Sequence, residues 1–257
     1  MDFGIKGKVA LVAASTSGLG LASAQALASE GARVAISGRR GDVAQSQAAQ
    51  LQGAVGYEMD LAIEGNAAIL AKKVASDLGN IEILVLNSGG PKPGPAAKMT
   101  RAAFLEAAEY LIFQHIELVN EILPGMLSKK WGRIIGIGST AIQNPNPDLS
   151  LSSIARSSLA AYLKTLSKEV ASSGVTVNMV HPGRVDTERV RQLDKFKADR
   201  ANRPVEEIER ESIASIPTNR YGRPEEFGST VAFLASQQAS YITGVQIRVD
   251  GGRVEGY

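Results

Sequence analysis

The chain has 257 residues, 44% hydrophobic and 21% charged, a balance that excludes a disordered, fibrous or low-complexity protein. Its 28 basic and 26 acidic residues leave a formal net charge of +2, too even for a surface dedicated to nucleic acid or membrane. With no cysteine, disulfides, iron–sulfur clusters and thiolate zinc are excluded, and His115 and His181 stand too far apart in sequence to suggest a metal site. No basic-then-apolar leader and no run of about twenty apolar residues is visible, so a cytoplasmic protein is expected.

The apolar run at 9–13 predicts a strand, followed by a Gly/Ser turn and helical spacing over 19–30, which Gly31 closes. A second strand is expected at 34–36, then an Ala- and Gln-rich helix over 42–52. A third strand at 55–59 precedes a helix over 63–78, stopped by Gly79. The run 81–86 is apolar nearly throughout, the pattern of a strand buried on both faces. A long helix is expected over 104–127, kinked or shortened by Pro124. Strand five follows at 133–137, a helix at 150–173 closed by Gly174, strand six at 175–180 and strand seven at 245–249. This alternation calls for α/β architecture: a doubly wound, seven-stranded parallel sheet with helices on both faces, in a single domain over 1–257.

After strand six, residues 184–211 hold eight basic and eight acidic residues. One reading is a solvated helical excursion laced with ion pairs. The other makes 184–220 a flap over the substrate, favoured by its place after a strand's carboxyl end, where open α/β sheets bind ligands. The segment Pro91-Lys92-Pro93-Gly94-Pro95 excludes a helix and reads as a stiff loop rimming the mouth of such a cleft.

The first strand runs into Ala14-Ser15-Thr16-Ser17-Gly18-Leu19-Gly20 and then a helix. Two glycines at that place let backbone approach a pyrophosphate, and the helix start offers free N–H groups to it. This segment resembles the TGxxxGxG turn of the short-chain dehydrogenase/reductase family, with Ala13 and Ala14 in place of the Thr and first Gly. Asp60-Leu61 is similar to the family's acidic position after strand three, which binds the adenine. Leu86-Asn87-Ser88-Gly89 is similar to NNAG after strand four, and Pro182-Gly183-Arg184-Val185-Asp186-Thr187 to the PGxxxT that holds the nicotinamide carboxamide. Residues 220–226, 241–244 and 249–252 resemble the C-terminal signature. The 3-oxoacyl-carrier-protein reductase-like branch is the nearest resemblance. It implies a Rossmann-type fold, a homotetramer, a small-molecule carbonyl or alcohol as substrate, and cofactor contacts from Ser15, Ser17, Gly18, Leu19, Gly20, Asp60, Leu61, Asn87, Ser88, Gly89, Pro182, Gly183, Val185 and Thr187.

Which dinucleotide is bound follows from Ser37-Gly38-Arg39-Arg40 after strand two. An NAD site wants a carboxylate there for the ribose 2′-OH, and none occurs before Asp42. A 2′-phosphate wants a guanidinium, which Arg39 supplies, so NADP(H) is expected. The competing reading is two solvated arginines opening a surface helix.

Family members reduce carbonyls with Tyr and Lys at i and i+4 on one helix, beside a Ser and an Asn. Here Ser139 fits the serine. Ser152 stands at the tyrosine position, Arg156 at the lysine position and Leu111 at the asparagine position. None of Tyr57, Tyr110, Tyr162, Tyr221 or Tyr241 has Lys four residues later, and Tyr257 ends the sequence given. A serine hydroxyl is a far weaker acid than a phenol, and arginine keeps its proton at working pH. Loss of a general acid costs roughly 10²–10⁴ in rate, not all catalysis. Two functions remain open. One is an oxidoreductase with a non-standard site of Ser139, Ser152 and Arg156. The other is a catalytically weak or inactive dinucleotide-binding regulatory protein. Arg156 could stabilise an oxyanion, cap the cofactor ribose as the family's lysine does, or clamp an acidic substrate together with Arg184. His115 is expected at a surface or interface, and His181 as a packed or solvated turn residue.

Overall fold

The computed structural model describes residues 2–256; Met1 and Tyr257, the ends of the expected 1–257 unit, lie outside the described residues. Seven strands run parallel: β1 (Val9–Val12), β2 (Arg33–Gly38), β3 (Val55–Glu58), β4 (Ile81–Leu86), β5 (Gly132–Ile137), β6 (Val175–Pro182) and β7 (Gln246–Val249). Their order is β3-β2-β1-β4-β5-β6-β7, the doubly wound sheet that the alternation of elements calls for. The helices are α1 (Gly18–Ser29), α2 (Gly41–Ala49), α3 (Asn66–Leu78), α4 (Arg101–Ala108), α5 (Gln114–Lys129), α6 (Ser150–Val170), α7 (Glu188–Ala201), α8 (Val205–Ala214) and α9 (Pro224–Ala235).

Each strand feeds two cores because successive side chains point to opposite faces. On β4, Ile83 and Val85 pack with Leu27 of α1 and Phe227 and Val231 of α9. Leu84 and Leu86 pack on the other face with Leu70 of α3, Leu118 of α5 and Leu159 of α6. With both faces covered, β1 and β5 are buried at every position; β1 is apolar throughout, and in β5 the buried Arg133 donates to the Ser236 and Gly132 carbonyls.

Several expected boundaries shift for local reasons. The third helix starts at Asn66, not 63, because the Asp60 carboxylate accepts from the Ala62 N–H and Gly65 sits at φ 82°. Pro124 does not shorten α5, which runs on to Lys129. Pro124 and Asn120, the residue whose carbonyl loses its N–H donor, are both exposed, so water can take the donor's place. The break in the long helix lies earlier, in a π-turn over Glu109–Phe113. The helix α9 was not anticipated, although Pro224 at its first position and Glu225 and Glu226 in its first turn are start signals.

The 184–220 region folds as α7 and α8. Arg203 pairs with Glu207 and Glu211, as a solvated helical excursion would. Its base, however, is fixed in the interior. Arg184 donates to Asp194 Oδ1 (2.5 Å) and to Ser212 Oγ (2.9 Å), and Tyr221 O–H donates to Asp194 Oδ2 (2.8 Å). Arg184 and Asp194 are both buried. One charge neutralises the other and three segments are tied together.

Candidate active site

The chain leaves β3 at one edge of the sheet and returns to β4 on the far side of β1, which opens a crevice at the carboxyl ends of the strands. A cleft of about 1330 Å³ lies there. Pockets for single small ligands hold roughly 300–1,000 Å³, so this one has room for a dinucleotide with a substrate. Ser17, Gly18, Leu19, Arg39, Asp60, Leu61, Asn87, Ser88, Gly89, Pro182, Gly183, Val185 and Thr187 all line it, and so do Ser139, Ser152 and Arg156.

Ser15 and Gly20 do not line it. Ser15 is fully buried; its hydroxyl donates to the Val12 carbonyl (2.6 Å) and accepts from the Ser37 N–H (3.1 Å), tying β1 to β2. Gly20 is buried in the first turn of α1, where a Cβ would sit 2.6 Å from Asn87 Nδ2 and 2.7 Å from the Ala14 carbonyl oxygen. Its work is to let the helix close on the end of β4. Asn87 Nδ2 donates to that carbonyl (2.9 Å), so the glycine, the asparagine and the turn form one unit.

Ala14 holds φ 45° and Gly18 φ 58°. Gly18 bears this without penalty, whereas an L-residue there costs roughly 1–2 kcal/mol. Ala14→Gly is therefore expected to stabilise the fold. Glycine's larger unfolded-state entropy offsets roughly 0.4–1 kcal/mol of the gain, so a rise in Tm of ~2 °C is expected in thermal denaturation. A fall in Tm would contradict the strain at Ala14. Ser17, the residue before α1, makes no capping bond, which leaves the first-turn N–H groups of α1 for an anion.

At the other end, Ser139 closes β5. Its N–H donates to His181 Nδ1 (3.1 Å), whose Nε2 side meets Gln246 Oε1 (2.8 Å). The ring is therefore a neutral brace for Ser139, and burial holds its pKa below the ordinary histidine value. Ser139 Oγ accepts from the Ala141 N–H (3.1 Å), which leaves its O–H free to donate into the cleft. Arg156 donates through Nε to Ser152 Oγ (3.3 Å) and through Nη1 to the Ile137 carbonyl (2.5 Å). Burial first, and the Arg189 charge second, push its pKa down to about 10, so it stays cationic at neutral pH.

Residues 13–253 match the family model described as Enoyl-(Acyl carrier protein) reductase. Over 250 residues the chain is 33% identical to the 3-oxoacyl-[acyl-carrier-protein] reductase FabG of Vibrio cholerae, covering 96% of this chain and 98% of that protein. The FabG of Escherichia coli K12 is also 33% identical, over 249 residues, with 96% and 97% covered.

The chain belongs to the short-chain dehydrogenase/reductase family.

Solved structures agree with this membership. The L-sorbose reductase of Gluconobacter frateurii, in complex with NADPH and L-sorbose, superposes with a TM-score of 0.94 at 27% identity, covering 100% of both chains. YwfH, an NADPH-dependent reductase involved in bacilysin biosynthesis, gives 0.92 at 25% identity, covering 97% and 99%. Against the family pattern, several residues here take places that sequence reading missed. His115 is fully buried, not at a surface, with Nδ1 3.0 Å from the Leu111 carbonyl and Nε2 3.4 Å from the Asn87 carbonyl. Burial pushes its pKa down to about 4. Tyr110, in the π-turn, and Arg189, in the first turn of α7, both line the cleft. Neither was legible, because α7 is too charged to show an apolar stripe and a π-turn changes which residues share a face. Arg184, bound to Asp194, has no free charge for the clamp with Arg156. No helix is long and apolar enough to cross a membrane among the described residues.

Proposed function

We propose that the protein is an NADP(H)-dependent oxidoreductase that interconverts a carbonyl and an alcohol, and that it works as a homotetramer with 184–220 as its substrate-covering flap. The observation that carries this reading is the single cleft, which joins the glycine turn and Arg39 to Ser139, Ser152 and Arg156. The reductases cited above, one NADPH-bound and one NADPH-dependent, support it.

The residues present fit the dinucleotide. Ser88 Oγ is buried in the cleft wall without a hydrogen-bond partner among the described residues, and a ligand hydroxyl or phosphate would satisfy it. The first turn of α1 would meet the pyrophosphate, and Asp60, Leu61, Asn87 and Gly89, which line the cleft, would flank the nucleoside portions. Pro182, Gly183, Val185 and Thr187 would hold the carboxamide end. Exposed Arg39 lines the cleft without a salt bridge among the described residues, as a guanidinium that would meet a 2′-phosphate does. Replacing it in Arg39→Ala is expected to narrow the preference for NADPH over NADH by roughly tenfold, about 1.4 kcal/mol, in paired calorimetric titrations. Equal affinities in the wild type would refute the cofactor assignment.

Hydride exchange at carbon is the chemistry a bound NADP(H) supplies. The chain's own residues handle the oxygen. Ser139 and Ser152 stand where the family places its serine and tyrosine, and both present a free O–H to the substrate oxygen. The Arg156 charge on Ser152 Oγ strengthens that O–H as a donor and stabilises the negative charge that grows on the oxygen. Neither Arg156 nor Ser152 releases a proton readily near neutral pH, so water in the cleft supplies the one that completes the alcohol. NADPH oxidation across ketones, aldehydes and sugars tests the reading. Tight NADPH binding without turnover on any of them would favour a dinucleotide-binding regulator.

A further inference from the structure

We infer that the substrate carries a carboxylate, held by Arg189 and Arg156 with the Tyr110 hydroxyl as a third donor. The site presupposes the oxidoreductase reading of the same cleft but is recognised by its own chemistry. Both guanidiniums line the cleft; Arg156 is buried and Arg189 half-buried. Burying a cation without a counter-charge is expensive, and such groups are ordinarily paired. These two are not: neither forms a salt bridge among the described residues.

Arg189 lies against Gly90, where a Cβ would fall 2.7–2.8 Å from Nη2, Nε and Cζ, and donates through Nη2 to the Pro91 carbonyl (2.7 Å). Its Nε and Nη1 have no acceptor among the described residues, and Arg156 likewise has Nη2 unused. The Arg189 charge acts on Arg156, and Tyr110, which also lines the cleft and has no hydrogen-bond partner among the described residues, feels burial first, the Glu106 charge second and the two guanidiniums after it. The acids that line the cleft do not relieve them. Asp148 is bound by Arg200, Glu188 accepts from Gln192, Asp60 accepts from the Ala62 N–H, burial first and the Glu117 and Glu64 charges second raise the pKa of Glu109, and Glu106 is exposed. A carboxylate can accept from the N–H groups left over on each guanidinium. Because Arg156 also contacts Ser152, the carboxylate sits close to the reacting carbonyl, which makes a short-chain oxo acid or its hydroxy acid the substrate class.

The test uses pyruvate, 3-oxobutanoate, 4-oxopentanoate and phenylpyruvate, each against its methyl ester, titrated calorimetrically into the protein with and without NADP+. In the wild type at least one acid is expected to bind roughly tenfold more tightly than its ester. Arg189→Gln is expected to remove that gap, and Tyr110→Phe to reduce it. Where NADPH is oxidised, the acid-to-ester ratio of kcat/KM falls by a similar factor. Equal binding of acid and ester, binding of neither throughout the panel, or a gap that survives Arg189→Gln overturns the inference. So does an Arg189→Gln variant that weakens NADPH about tenfold with the acid-to-ester gap intact, which would give Arg189 to the cofactor phosphates. NADPH affinity, measured separately, reports on the cofactor reading, so the two failures are distinguishable.

Discussion

Arg156→Met is expected to make the protein more stable and far less active. Burial and the neighbouring Arg189 charge depress the folded pKa of Arg156 to about 10, below its unfolded value. A group of this sign costs folding free energy at every pH below the folded pKa, and the cost fades as pH rises above about 10. At neutral pH the penalty is ~3 kcal/mol. Methionine removes it and fills much of the same volume, as apolar replacements of buried ions often do. Against this stand the lost bonds to the Ile137 carbonyl and Ser152, worth ~1–2 kcal/mol together. The net gain is ~1 kcal/mol, or ~2–4 °C in Tm for a chain of this size. Turnover should fall by roughly 10²–10³, the usual loss when a preorganised donor to a developing oxyanion is removed. The stability advantage should hold from pH 7 to 9 and shrink above it. Unchanged turnover would take Arg156 out of the chemistry, and a lower Tm would show that its two bonds outweigh its burial.

Gly20→Ala is expected to do the opposite, damaging stability and cofactor binding together. The added methyl would lie 2.6 Å from Asn87 Nδ2, 2.7 Å from the Ala14 oxygen and 2.9 Å from Ser15 Cα. Two of these are backbone atoms, so no rotamer change relieves the contact. The methyl wedges open the Asn87–Ala14 hydrogen bond that holds the turn to the end of β4. Overpacking of this kind costs ~1–3 kcal/mol. The turn then moves relative to the start of α1, and NADPH affinity should fall by roughly ten- to a hundredfold, as expected when about 1.4–2.8 kcal/mol of positioned contact is lost. Calorimetric titration with NADPH beside a melting curve separates the two effects. An unaltered Kd would show that the turn tolerates the shift and that Gly20 serves packing alone.

Much of the sheet was legible because a strand covered on both faces must be apolar throughout, and 81–86 matches β4 residue for residue. Boundaries failed where side chains or backbone geometry intervened locally, as at Gly65 and in the Glu109–Phe113 turn. The candidate site was partly legible. Motif order placed Ser139, Ser152, Arg156 and Arg39 on one cleft. Position in a motif does not say which residues face the cleft: Ser15 and Gly20, expected at the cofactor, do not line it. Arg184 is the converse case: it does line the cleft, but Asp194, ten residues on, takes its charge.

The sequence by itself determined the architecture, the family and the absence of a tyrosine–lysine pair, because periodicity, glycine placement and motif order are local properties of the chain. Tertiary structure alone decided which cations are spent and which remain available. That depends on burial and on the partners the fold brings close: Asp194 neutralises Arg184, while Arg156 on α6 and Arg189 on α7 line one cleft and form no salt bridge among the described residues. The energy of a charge is set by its surroundings, and spacing along the chain does not encode those.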